Sequence, residues 1–123
     1  MEQFLGENFF LETETARYLY KNHAEKMPIF DFHCHLNIAE IWNDKKFSTI
    51  TEAWLGGDHY KWRLFREMGG DESYITGDKS DIEKFRKYAE IMPYAIGNPI
   101  YHWTHLELRR FFGICDILSP KTA

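Results

Sequence analysis

No stretch of this sequence stays apolar for the roughly 20 residues that a bilayer-spanning helix needs. Its first residues, MEQFLGENFF, lack a basic segment followed by an apolar core, so a cytoplasmic location is the expectation. Cysteine is scarce. Cys34 and Cys115 lie far apart and in no CxxC pair, which argues against a disulfide framework or a thiolate zinc knuckle. An excess of one charge is missing too: 15 Lys and Arg face 19 Asp and Glu, interspersed along the chain, for a net charge of −4. Neither nucleic acid nor a membrane surface is therefore expected as a partner, and a small anionic ligand would need local positive charge. Repeats, low-complexity tracts and linkers are absent as well. What is present is 44% hydrophobic and 17% aromatic residues over 123 positions, enough for one globular domain with a core and inconsistent with disorder.

Most of that apolar content falls at helical spacing. Ala16, Leu19, Tyr20, His23 and Ala24 form one stripe, with Thr13 as the N-cap and Pro28 as the stop. Asn37 caps a short helix carrying Ile38, Ile41 and Trp42, and Ser48 or Thr49 caps another through Trp54 and Leu55, with Thr49 and Glu52 at capping-box spacing. Asp58 starts a helix that Gly69 and Gly70 end. Asp78 or Ser80 opens the clearest one, with Ile82, Phe85, Tyr88, Ala89 and Met92 in line and Pro93 behind it. A last helix over IYHWTHLELRRFF closes at Gly113.

One segment has the other period. In PIFDFHCHL, residues 28–36, the short aromatic run 29–33 reads as a strand buried on both faces, with Ile29, Asp31, His33 and His35 on one side and Phe30, Phe32 and Cys34 on the other. Cys34 then reads as a small core residue. A doubly buried strand needs neighbours on both edges, and nothing after residue 36 supplies them, so the chain reads as the N-terminal portion of a larger parallel-sheet protein. On such a strand His33 and His35 project together, about 7 Å apart along the backbone, a gap that two ligands of one metal can close. Imidazoles suit zinc and similar divalent ions, and the C-terminal end of a strand is where parallel-sheet enzymes place their chemistry. Asp31 is open to two readings: orienting a histidine, or accepting backbone donors near a loop.

GGDHYKWR, residues 56–63, crowds a helix start with groups able to bind a carboxylate, polarise a carbonyl or move a proton. The plainer alternative makes Tyr60 and Trp62 core aromatics and Lys61 and Arg63 a solvated face. His102 and His105, three apart and outside any HExxH motif, are better read as helix-packing residues than as a metal pair.

Taken together, MPIFDFHCHL, WLGGDHYKWR, ITGD and IGNPIYHWTHLELRRFFGI resemble the uronate isomerase family, also called glucuronate isomerases, over essentially the whole chain. The resemblance implies an α/β fold: the N-terminal fragment of an amidohydrolase-like (β/α)8 barrel, mostly helical here, with residues 29–33 as its first strand and residues 1–123 as part of a single domain. It implies interconversion of D-glucuronate with D-fructuronate and of D-galacturonate with D-tagaturonate. Within it, His33 and His35 are metal ligands, Tyr60 is the catalytic group and also binds substrate, and His59 contacts substrate. The cofactor is a divalent metal, with zinc the expectation. The complete polypeptide is expected to be a homo-oligomer acting on a small uronate. A barrel of about 250 residues cannot be built from 123, so the chain alone is expected to be inactive. Two alternatives stand beside this reading: a metal-dependent hydrolase or deaminase of the same superfamily, and a small non-enzymatic helical metal-binding module.

Overall fold

The computed structural model describes residues 4–123, and the chain divides into two compact units, Met1–Cys34 and His35–Ala123. In the first, α1 spans Glu14–Leu19, and the Thr13 side chain accepts the Ala16 N–H at 3.1 Å, as its N-cap position requires. The helix then widens into a π-helical turn over Tyr20–Ala24, closed by the Glu25 N–H on the Tyr20 carbonyl at 2.8 Å. Neither element has a buried residue, so the apolar stripe predicted there faces solvent.

The expected strand over residues 29–33 does not form, and no strand occurs among the described residues. Ile29 and Phe32 are 94% and 90% exposed, and Cys34 is exposed rather than a core residue. The physical reason is non-local: a strand satisfies its backbone only through neighbours, and none pairs with it here. Local chemistry takes over instead. Asp31 accepts the His33 N–H at 3.2 Å, an Asx-type contact that bends the chain, so the face shared by Asp31, His33 and His35 is not realised.

The second unit is helical, and its caps follow the sequence signals. Helix α2 (Ile38–Trp42) starts at Asn37, and α3 (Ile50–Leu55) at Thr49, whose hydroxyl accepts the Glu52 N–H while the Glu52 carboxylate accepts the Ser48 N–H. Helix α4 (His59–Glu67) starts at Asp58, and α5 (Asp81–Ile91) at Ser80 with a complete capping box to Glu83. Helix α6 (Pro99–Phe112) ends at Gly113, whose φ of 68° is the left-handed conformation that glycine adopts without strain. At Gly70 the reason is different: a Cβ there would lie 2.8 Å from the Phe65 carbonyl oxygen, a close approach that only glycine permits.

The core of this unit is one cluster in which Trp54 and Leu55 of α3, Leu64 and Phe65 of α4, Tyr88 and Ala89 of α5, and Ile100 and Leu108 of α6 meet. Of the predicted α5 stripe, Tyr88, Ala89 and Met92 are fully buried, while Ile82 remains exposed. Tyr88 stacks on Phe65 at 5.6 Å between centroids, and its hydroxyl is 2.7 Å from that of Thr104, so α4, α5 and α6 are joined through one side chain. Burial pushes the Tyr88 phenol well up from its ordinary value.

His105 completes the core as the packing histidine the sequence suggested. Its Nε2 accepts the Leu118 N–H at 2.9 Å, so the proton sits on Nδ1 and is donated to the Tyr101 carbonyl at 2.6 Å. Burial holds its imidazole below the usual histidine value, the Tyr101 carbonyl opposes this, and nearby His102 adds to the lowering. The folded chain then binds fewer protons than the unfolded chain below about pH 6.5, so the stability that neutral His105 confers is lost as pH falls from there through the folded value. Melting temperatures measured from pH 7.5 down to 5 are expected to decline, and His105→Gln is expected to flatten that decline.

Candidate active site at the start of α4

The first turn of α4 holds the predicted substrate residues His59 and Tyr60, and a half-buried ion pair braces it. The Asp58 carboxylate accepts the N–H groups of Tyr60 (3.0 Å) and Lys61 (3.4 Å), and its other oxygen takes the Lys61 ammonium at 2.6 Å. Burial pushes the Asp58 carboxyl up, but the Lys61 hydrogen bond and charge, together with the two backbone donors, outweigh it and leave the group below the usual carboxylate range. Lys61 is only 7% exposed, with its ammonium 6.0 Å from the centre of the Trp54 ring, so it is not the solvated charge that the plainer sequence reading allowed. Trp62 donates its indole N–H to the Leu55 carbonyl at 2.6 Å and packs against the core. Both contacts leave the pair between them, His59 and Tyr60, on the accessible side.

Tyr60 is 44% exposed, and three groups lie against its ring: His59 at 4.6 Å, His35 at 5.4 Å and 7° between planes, and the Arg63 guanidinium at 5.7 Å. His35 also stacks on His59 at 4.7 Å. One predicted metal ligand and both predicted substrate residues are therefore together, although 24 positions separate His35 from His59. Tyr60 and Arg63 further line a cleft of about 330 Å³, with Glu67, Asn98 and Trp103. His33 belongs to the first unit, in the bend that Asp31 holds. The second reading of Asp31, as an acceptor for backbone donors, is the one its geometry matches.

As a metal set, His33 and His35 offer two imidazole donors of the right chemistry, one fewer than the three protein ligands of a catalytic zinc centre. Among the described residues no group of three or more His, Cys, Asp or Glu side chains is arranged to hold a metal ion. By donor chemistry the two imidazoles are of the kind a divalent ion takes. Glu107 was not singled out in the sequence. It is half-buried, and burial raises its carboxyl above the usual range, against the pull of Lys61 and a hydrogen bond from Trp54 and with a further push from Asp58. Its one legible signal is its place beside Leu108 on the α6 face that meets α3 and α4.

No helix among the described residues is long and apolar enough to cross a membrane. The family model for glucuronate isomerase matches residues 1–123. Uronate isomerase of Caldicellulosiruptor saccharolyticus is 60% identical over 123 residues, covering 100% of this chain and 26% of the relative. The Bacillus subtilis uronate isomerase is 60% identical over 122 residues, 99% of this chain and 26% of its own length. The crystal structure of uronate isomerase from Thermotoga maritima superposes with a TM-score of 0.90 at 39% identity, over 98% of this chain and 27% of that one. The chain thus spans about a quarter of the length of the curated relatives it matches. A family model that runs from the first residue to the last, and a fold shared with a solved uronate isomerase, leave one assignment: this chain belongs to the glucuronate isomerase family.

Proposed function

We propose that these residues form the first part of a single (β/α)8-barrel aldose–ketose isomerase that interconverts D-glucuronate with D-fructuronate and D-galacturonate with D-tagaturonate. The observation that carries the reading is the match to the glucuronate isomerase family over all 123 residues. The arrangement of His35, His59 and Tyr60 supplies chemistry of the required kind. In such an isomerisation a base takes the proton next to the carbonyl, a cis-enediol forms, and an acid returns a proton to the neighbouring carbon. Tyr60, accessible and held at a helix start, moves that proton or stabilises the developing oxyanion, and His59 contacts a substrate hydroxyl or carbonyl.

His33 and His35 would hold a divalent metal, with zinc as the first choice, and the remaining ligand would come from residues outside this chain. A bound divalent ion supplies Lewis-acid polarisation of a sugar oxygen. The complete enzyme is read as a cytoplasmic homo-oligomer acting on a small uronate. In this reading the 123-residue chain alone, whose described residues hold no group of three metal-ligating side chains, is inactive.

The full-length polypeptide incubated with D-glucuronate should yield ketose, and hydrolysis of an amide substrate with no effect on uronates would overturn the assignment in favour of a hydrolase. Metal content gives a separate measure. His33→Ala and His35→Ala should each lower zinc affinity by more than the about 10- to 100-fold that losing an outer-shell partner costs, while the isolated 123-residue chain binds zinc weakly. Tight, stoichiometric zinc on the isolated chain would instead favour a self-sufficient metal-binding module.

A further inference from the structure

We propose that Arg63 is a positioning residue for Tyr60: its guanidinium holds the phenol ring in the orientation from which the hydroxyl meets substrate. The inference rests on the isomerase reading above and deepens it. Arg63 and Tyr60 are three residues apart on α4, so the helix itself brings the two side chains together, and the guanidinium carbon lies 5.7 Å from the ring centroid, within reach of cation–π attraction.

The need for such a contact follows from where Tyr60 stands. Its backbone is fixed by the Asp58 cap, but a ring that is 44% exposed is not locked by packing on all sides. Rotation about its first side-chain torsion would carry the hydroxyl several ångströms away. His35 stacks on the ring from a segment outside any helix, whereas Arg63 acts from the same rigid element as Tyr60. Both residues line the same cleft, so the contact orients the phenol where a ligand would enter. A hydroxyl already aimed before the ligand arrives needs no reorganisation during the reaction.

The test uses the full-length polypeptide. Arg63→Met keeps an unbranched stem and removes the planar cation; it should lower kcat on D-glucuronate by roughly 2- to 5-fold, the range an exposed cation–π contact supports, and leave KM unchanged. Arg63→Lys should recover part of the loss. In a Tyr60→Phe background, Arg63→Met should cost no further turnover, because its effect passes through the missing hydroxyl. Arg66→Met, on the same helix but paired with Glu72, should leave kcat unchanged. A crystal structure of Arg63→Met should show the Tyr60 ring turned off His35. An additive loss in the double variant, a KM rise at constant kcat, an equal loss in Arg66→Met, or a ring that stays in place would overturn the proposal. Absence of uronate turnover in the parent would remove the isomerase reading, and the ring orientation in the Arg63→Met crystal would still decide the role of Arg63.

Discussion

Tyr60→Phe in the full-length polypeptide is expected to lower kcat by about two to four orders of magnitude while KM changes far less. The substitution deletes one oxygen and keeps the ring, so the stacking on His35 at 5.4 Å and the Arg63 contact are retained. The cleft wall keeps its shape, and the loss is confined to what the hydroxyl does during proton transfer. Steady-state kinetics on D-glucuronate, with circular dichroism to verify the fold, measures both quantities. A raised KM at unchanged kcat would assign Tyr60 to substrate contact alone.

The second large effect concerns stability. Phe65→Ala is expected to cost about 3–5 kcal/mol, the range for deleting a fully buried aromatic ring. Phe65 has no exposed surface and stacks on Tyr88, which in turn meets Thr104, so the cavity would open where α4, α5 and α6 converge. Against a typical domain stability of about 5–15 kcal/mol, that is a large fraction. Urea unfolding of the His35–Ala123 unit within the 123-residue chain, followed by tryptophan fluorescence, checks it. A loss below about 1 kcal/mol would mean the cluster closes around the gap.

What could be read from the sequence was what is decided within a few residues. Thr13, Asn37 and Asp58 start their helices as predicted, and Thr49 and Ser80 are the members realised of the pairs Ser48 or Thr49 and Asp78 or Ser80, because a cap is one side chain reaching a backbone N–H two or three positions ahead. His105 was legible for the same reason: its bond to the Tyr101 carbonyl is one helical turn away. The strand at 29–33 failed because its stability lies in partners far along a chain, and the burial expected of Cys34 failed with it. Lys61 was misread by the plainer alternative, and Glu107 was missed, because α3, α4 and α6 must come together before either side chain is buried. The meeting of His35 with Tyr60 was implied only by resemblance, since no periodicity links a residue in a loop to a helix start 25 positions later.

The Asp58–Lys61 pair has a practical consequence for chemical labelling. Among the described residues Lys61 is the buried lysine, and its side-chain nitrogen lies 2.6 Å from the Asp58 carboxylate. Amine-reactive esters need access to the nitrogen, so they should modify the exposed lysines long before this one. The order in which lysines acquire label, read by mass spectrometry, then becomes a clock for the opening of the α4 first turn. A ligand that clamps His59 and Tyr60 would slow that clock at Lys61 without touching the lysine itself.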